Sequence, residues 1–150
     1  MQEQQKVTKV HIKDGRVVDP KTGFDGVADI YIADGLVAAI GERPDGFAPD
    51  TVIDASGKIV CPGLVDLSTR LGSLGSELAA AVAGGVTAVA CPPDTNPPLD
   101  EPGLVERLVR HSEALGLARV FPIGALTQEL AGKKLSEMNS LARAGYLAFS

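Results

Sequence analysis

Two textures of apolar and polar positions divide the chain. Through residue 60, apolar residues come in short alternating runs cut by turn residues, and no helical periodicity appears. Residues 7–13 and 16–19 flank Asp14-Gly15, which reads as a hairpin turn. Residues 29–33 and 36–41 repeat the arrangement around Asp34-Gly35. Residues 43–50 are punctuated by Pro and Gly and read as a loop. Residues 52–54 and 58–61 look like another short pair around Ser56-Gly57. The pattern predicts a small antiparallel β unit.

After Pro62-Gly63 the period changes. Residues 64–67 form an apolar strand, and the Ala-rich residues 76–83 form a helix stopped by Gly84-Gly85. Residues 86–91 read as a buried strand. Asp100 is placed to cap a helix over 101–115, with Pro102 in its first turn and Gly116 at its end. Residues 119–124 give a third strand, with Pro122 expected near a strand end or bulge. Residues 135–144 give a helix ended by Gly145, and 146–149 start a fourth strand. This alternation predicts parallel βα units. Four strands with three intervening helices make half of a (β/α)8 barrel or a small open sheet, because a full barrel takes about 250 residues. The expected domains are therefore 1–62 and 63–150. Half a barrel leaves open sheet edges, so the 150 residues are expected to be a piece of a longer protein.

Composition removes several function classes. A net charge of −5 without a Lys/Arg cluster argues against nucleic acid or an anionic membrane as partner. The start has no apolar signal core, and no run approaches a membrane span. Cys61 and Cys91, far apart and without a CxxC, fit two buried thiols in a reducing cytoplasm better than a disulfide. His11 and His111 are the only histidines, and both read as surface or packing residues. A binuclear hydrolytic metal centre needs several His and carboxylates converging at strand ends.

The candidate chemistry lies in Cys61-Pro-Gly-Leu-Val-Asp-Leu-Ser-Thr-Arg-Leu71, a strand carrying Ser68 and Arg70 at alternate positions near its end. Strand alternation puts these two on one face. Further fragments follow in order: Gly84-Gly-Val-Thr87, Pro92-Pro-Asp-Thr-Asn-Pro97, Phe121-Pro-Ile-Gly-Ala-Leu-Thr127, Leu135-Ser-Glu-Met138 and Ala144-Gly-Tyr-Leu-Ala-Phe-Ser150. Gly15-Arg-Val-Val-Asp-Pro20 and Asp54-Ala-Ser-Gly-Lys-Ile-Val-Cys-Pro-Gly-Leu-Val-Asp66 precede them. Together they resemble the cyclic amidohydrolases, dihydroorotases above all, along essentially the whole chain. The resemblance implies a partial amidohydrolase (β/α) barrel preceded by a small β-sandwich segment.

The resemblance also implies where chemistry should sit. Active relatives end the first barrel strand in His-x-His, two metal ligands, and here those positions hold Ser68 and Arg70. Ser is a poor ligand and Arg a permanent cation. The Arg that grips the substrate carboxylate in the family falls on Gly72, and the substrate-binding Asn falls on Asp94. The segment from Leu71 to Gly84 is several residues shorter than the family pattern. Zinc is expected in active relatives, but its ligands are missing from this stretch, so no cofactor and no catalytic residue are expected here. Ser-x-Arg after Asp66-Leu67, with Cys91-Pro-Pro-Asp-Thr95, is similar to the non-catalytic dihydroorotase homologues of bacteria. That likeness implies a cytoplasmic structural subunit in pyrimidine synthesis. Its partner would be the aspartate transcarbamoylase catalytic chain, with a homodimer also allowed. The alternative is a dihydroorotase or related cyclic-amide hydrolase whose site is completed outside this chain.

Three local expectations follow. Arg70 pairs with Asp66 or Asp94, and its removal costs appreciable stability. Asp94 and Asn96 make an Asx-type turn before Pro97 rather than a ligand loop. Cys91, with no His beside it, is a small buried hydrophobe rather than a nucleophile.

Overall fold

The computed structural model describes residues 8–150, so the first residue of the expected strand 7–13 lies outside the described residues. The chain divides into two compact units between Pro62 and Gly63.

The first unit is a five-stranded sheet built on β1 (Val10–Asp19). β2 (Phe24–Ala33) pairs antiparallel with β1, and β3 (Leu36–Ile40) pairs antiparallel with β2. The β2–β3 turn is the expected one: Asp34 and Gly35 have φ of 54° and 72°, the two positive values that a two-residue hairpin of this type requires. Asp14-Gly15 is different. β1 runs straight through it, and Lys13 and Asp14 together stand opposite Asp29 alone. This is a β-bulge, not a hairpin. Asp14 has φ of 60°, and its N–H donates to Asp29 Oδ1 at 3.0 Å. The hairpin lies further on, where both oxygens of the Asp19 carboxylate accept bonds from Lys21 N (2.9 Å) and Thr22 Oγ1 (2.8 Å).

β4 (Thr51–Asp54) and β5 (Ile59–Val60) do not pair with each other. Both join β1 in parallel, one against each half of it. The expected all-antiparallel unit is therefore a mixed sheet. Alternation and turn residues mark strands but carry no information about which strand is the partner. Buried Val17, Ile30, Tyr31, Phe47 and Ala55 form the apolar side. Cys61, expected to be buried, is exposed just after β5, whose two residues leave it outside any sheet.

The second unit is a parallel sheet in chain order, β6 (Leu64–Asp66), β7 (Val86–Cys91), β8 (Arg119–Gly124) and β9 (Ala148–Phe149). Helices α1 (Leu74–Ala83), α2 (Pro102–Leu115) and α3 (Met138–Arg143) connect successive strands. Leu78, Val89, Cys91, Leu99, Val105, Ala118 and Val120 form its core. α1 begins two residues before the expected start and stops where Gly85 turns to φ of 82°. α2 has Pro102 in its first turn and Gly116 at φ of 62° as its cap.

Asp100 does not cap α2. Its Oδ2 accepts from Glu129 N at 2.8 Å, reaching the segment after β8, and Glu101 takes the cap position without a side-chain bond. α3 is shorter than expected at its start. Ser136 is held instead by the exit of β8, donating from Oγ to Ala125 O at 2.6 Å and from N to Leu126 O at 3.0 Å. Pro122 lies inside β8 rather than at an end, fully buried between β7 and β9. Its carbonyl accepts from Leu147 N at 2.9 Å. The backbone edge that lacks an N–H thus faces the residues that precede β9, beyond the paired residues Ile123 and Gly124.

Candidate ligand site at the strand ends

β6 is short because its last side chain ends it. Asp66 Oδ1 accepts from Ser68 N at 2.9 Å, bending the chain out of the strand. The chain then returns to the sheet, with Thr69 N donating to Ala90 O at 2.9 Å. Ser68 and Arg70 therefore lie past the strand, and the alternation that was to place them on one face does not operate there. Gly63 brings this strand close to β7: a Cβ built on it would lie 2.0 Å from Thr87 Oγ1 and 2.3 Å from Thr87 Cγ2.

Arg70 pairs with Asp94, its Nε donating to Asp94 Oδ2 at 2.7 Å. Of the two partners expected, Asp66 is engaged with Ser68 and Asp94 takes the guanidinium. The side chains are 74% and 41% exposed, which makes this a water-screened pair of small energetic value. Asp94 stands in the segment between β7 and α2, so the pair ties the exit of one parallel strand to the exit of the next. The local turn bond there comes from Thr95, whose Oγ1 donates to Pro97 O at 2.6 Å, rather than from Asp94 or Asn96.

The residues at this end do not suit a divalent metal. Ser68 offers a weak neutral donor, and Arg70 places a permanent cation where a ligand is needed. The Asp66 oxygen that accepts from Ser68 N is directed at its own turn. Among the described residues, no group of three or more His, Cys, Asp or Glu could hold a metal ion. Gly72 supplies no side chain at all, and a Cβ there would meet only Glu77 Oε1, at 3.4 Å.

Cys91 behaves as expected of a buried thiol. Desolvation pushes its pKa up, and it donates weakly to Pro92 O at 3.5 Å. A raised thiol is a poor nucleophile at neutral pH. His11 packs in the first unit, stacked on Tyr31 with centroids 4.6 Å apart and bonded through Nε2 to Asp29 Oδ2 at 2.8 Å. Asp29 is held below the usual carboxylate range, first by the Asp14 N–H and then by His11.

A cavity of about 610 Å³ opens beside Arg70 and Asp94, with α2 as its other wall. Sequence reasoning passed over Arg107 and treated His111 as a packing or surface residue. Both line this cavity, and both are exposed. Their spacing of four on a helix was the available signal, because such positions share a face.

No family model matches the chain. It is 43% identical over 148 residues to a dihydroorotase-like protein of Pseudomonas putida, covering 93% of this chain and 35% of that one. It is 43% identical over 150 residues to a dihydroorotase of Ruminiclostridium cellulolyticum, covering 95% of this chain and 35% of the relative. The chain thus spans about a third of the length of these curated relatives. Among solved structures it resembles the L-hydantoinase of Arthrobacter aurescens, with a TM-score of 0.72 and 27% identity over 93% of this chain and 32% of that one. An N-acyl-D-glutamate deacylase from Bordetella bronchiseptica shares the fold, with a TM-score of 0.65 and 21% identity over 97% of this chain and 38% of that one. The architecture is therefore that of a partial amidohydrolase barrel preceded by a small β-sandwich segment. Among the described residues, no helix is long and apolar enough to cross a membrane.

Proposed function

We propose that this is a dihydroorotase-like chain that keeps the scaffold of a cyclic-amide hydrolase without its metal chemistry. The observation that carries the reading is the Arg70–Asp94 ion pair at 2.7 Å. The end of β6, where an enzyme of this kind would need neutral or anionic ligands, presents a guanidinium bound to the next strand exit instead. Lowering the pKa of a bound water needs a cation held by several such ligands, and the two carboxylates at this end, Asp66 and Asp94, are turned to Ser68 N and to Arg70. The two Pseudomonas relatives carry the name dihydroorotase-like protein, which agrees with the reading. Its finer form is a structural subunit in the cytoplasm, supporting assembly of the aspartate transcarbamoylase catalytic chain in pyrimidine synthesis, either beside it or as a homodimer.

A second reading has its own observation. Relatives 39–43% identical to this chain are named dihydroorotase. The chain matches only 35% of their length, so a site built mostly from residues beyond the matched third would suit a dihydroorotase-related hydrolase.

One experiment separates the two. The intact protein is dialysed, its zinc measured, and its turnover of dihydroorotate followed. Zinc well below one per chain with no turnover, and co-purification with the transcarbamoylase chain, is the expected result. Stoichiometric zinc that survives dialysis, with turnover, would sink the non-catalytic reading in favour of the hydrolase. Zinc-free protein that fails to co-purify would remove the transcarbamoylase role alone.

A further inference from the structure

The cavity beside Arg70 has the chemistry of a ligand site, and the ion pair does not use it up. Its α2 wall presents Leu104, Arg107, Leu108 and His111, which the helical repeat places in one stripe. Neither the Arg107 nor the His111 side chain has a hydrogen-bond or ion-pair partner among the described residues. By contrast Arg110, on the same helix, is paired with Glu106 at 3.2 Å. Arg70 uses only Nε on Asp94, which leaves the terminal amino groups of its fork without a partner among the described residues.

The charge in the cavity follows from these side chains. Arg70 and Arg107 bring two positive charges and Asp94 one negative, so the lining is net positive before His111 is counted. The chain as a whole carries −5, so this local excess runs against the background. A guanidinium fork is suited to a carboxylate or phosphate, and Leu104 and Leu108 beside it are suited to an apolar body.

We propose that this cavity binds a small organic anion. Arg107, His111 and the free end of Arg70 hold its acid group, and Leu104 and Leu108 take its apolar part. The site uses α2 side chains, so it stands whether or not the chain is catalytic. The acid is a carboxylate or a phosphate, and the test tells which.

Calorimetric titration of the intact protein with benzoate and with phenyl phosphate tests the site, with benzyl alcohol and inorganic phosphate as controls. Saturable one-to-one binding of either aromatic acid, and none of the alcohol, is expected. Arg107→Ala should weaken that binding roughly tenfold, as losing one charge-assisted bond does. Arg110→Ala, on the same helix but paired elsewhere, should leave it unchanged. Circular dichroism confirms that each variant keeps its fold. Three results would overturn the proposal: no saturable binding of either acid, equal loss in both variants, or binding untouched by Arg107→Ala. Inorganic phosphate binding as tightly as phenyl phosphate would overturn the apolar half of the site.

Discussion

Gly63→Ala is the most discriminating single change in the second unit. Gly63 has no positive φ, so alanine could adopt its backbone without strain. A glycine replaced at such a position ordinarily stabilises by about 0.4–1 kcal/mol. Here the new Cβ would sit 2.0 Å from Thr87 Oγ1, 2.3 Å from Cγ2 and 2.7 Å from Cβ. Carbon contacts are comfortable near 3.5–4.0 Å, so strand β6 or Thr87 must move by about 1.5 Å. The approach is held in place by the bond from Leu64 N to Gly85 O at 2.9 Å. Overpacking of this kind costs about 1–3 kcal/mol, and the closeness of three atoms puts Gly63→Ala at about 2–3. For a chain of this size that lowers the melting temperature by roughly 5–10 °C. Thr87 is exposed, so Thr87→Ala alone should change stability by about 0.5 kcal/mol or less. In the Gly63→Ala background it removes the two shortest contacts and should recover about 1 kcal/mol or more. Urea unfolding of the four proteins completes the cycle. A Gly63→Ala protein as stable as the parent, or a double variant showing no coupling, would refute the argument.

Three further outcomes follow from other parts of the structure. Leu78→Ala empties a fully buried site between α1 and the sheet and should cost about 3 kcal/mol, read as a lowered urea midpoint; a loss under about 1 kcal/mol would contradict the core assignment. Arg70→Ala should cost no more than about 1 kcal/mol because the pair is water-exposed, so a melting temperature lowered by 10 °C would show a larger role than the structure allows. Bonds from Ser56, and then Lys13, depress Asp54 from 3.8 to about 2, so its contribution is present above pH 3.8 and lost as pH falls through 2. Unfolding midpoints between pH 5 and pH 2 should therefore fall less steeply in Asp54→Asn than in the parent, and identical slopes would count against this.

Legibility in the sequence tracked how local each determinant is. β7 and β8 have the bounds the pattern predicted, because a short apolar run is settled by neighbours in the chain: Gly85 and Pro92 bracket β7, and Gly124 ends β8. α2 fits for the same reason, with Pro102 and Gly116 marking its ends. Asp100 was misread because a carboxylate before a helix has two uses. It caps, or it reaches a distant amide, and only the fold brings Glu129 N within 2.8 Å. The partners of β4 and β5 were equally out of reach, since Val52 faces His11 across 41 residues of chain. Asp14-Gly15 and Asp34-Gly35 carry the same dipeptide, yet one is a bulge and the other a turn. The difference lies in Asp29, whose carboxylate waits for the Asp14 amide. At the candidate site, the ion pair of Arg70 was foreseeable from charge, with Asp94 as one of two partners. The cavity wall was not, because Arg107 and His111 gain meaning only when α2 lies beside the strand exits.

The bulge in β1 has a consequence for how the sheet finds its alignment. A slip of β1 against β2 by two residues would keep every side chain on its proper face, so hydrophobic pattern alone would not reject it. It would, however, take the Asp14 amide away from Asp29, so the bulge pins the hairpin's register. Gly15, the next residue, pins a second alignment on the other edge of the same strand: a Cβ there would lie 2.6 Å from Val60 Cγ2 and 3.0 Å from Ala55 Cβ. β4 and β5 pair with β1 on that edge, so a slip against them would bring a side chain to a place with no room for one. Two neighbouring residues thus fix the central strand against both of its neighbours, one by a bond it makes and the other by a side chain it lacks.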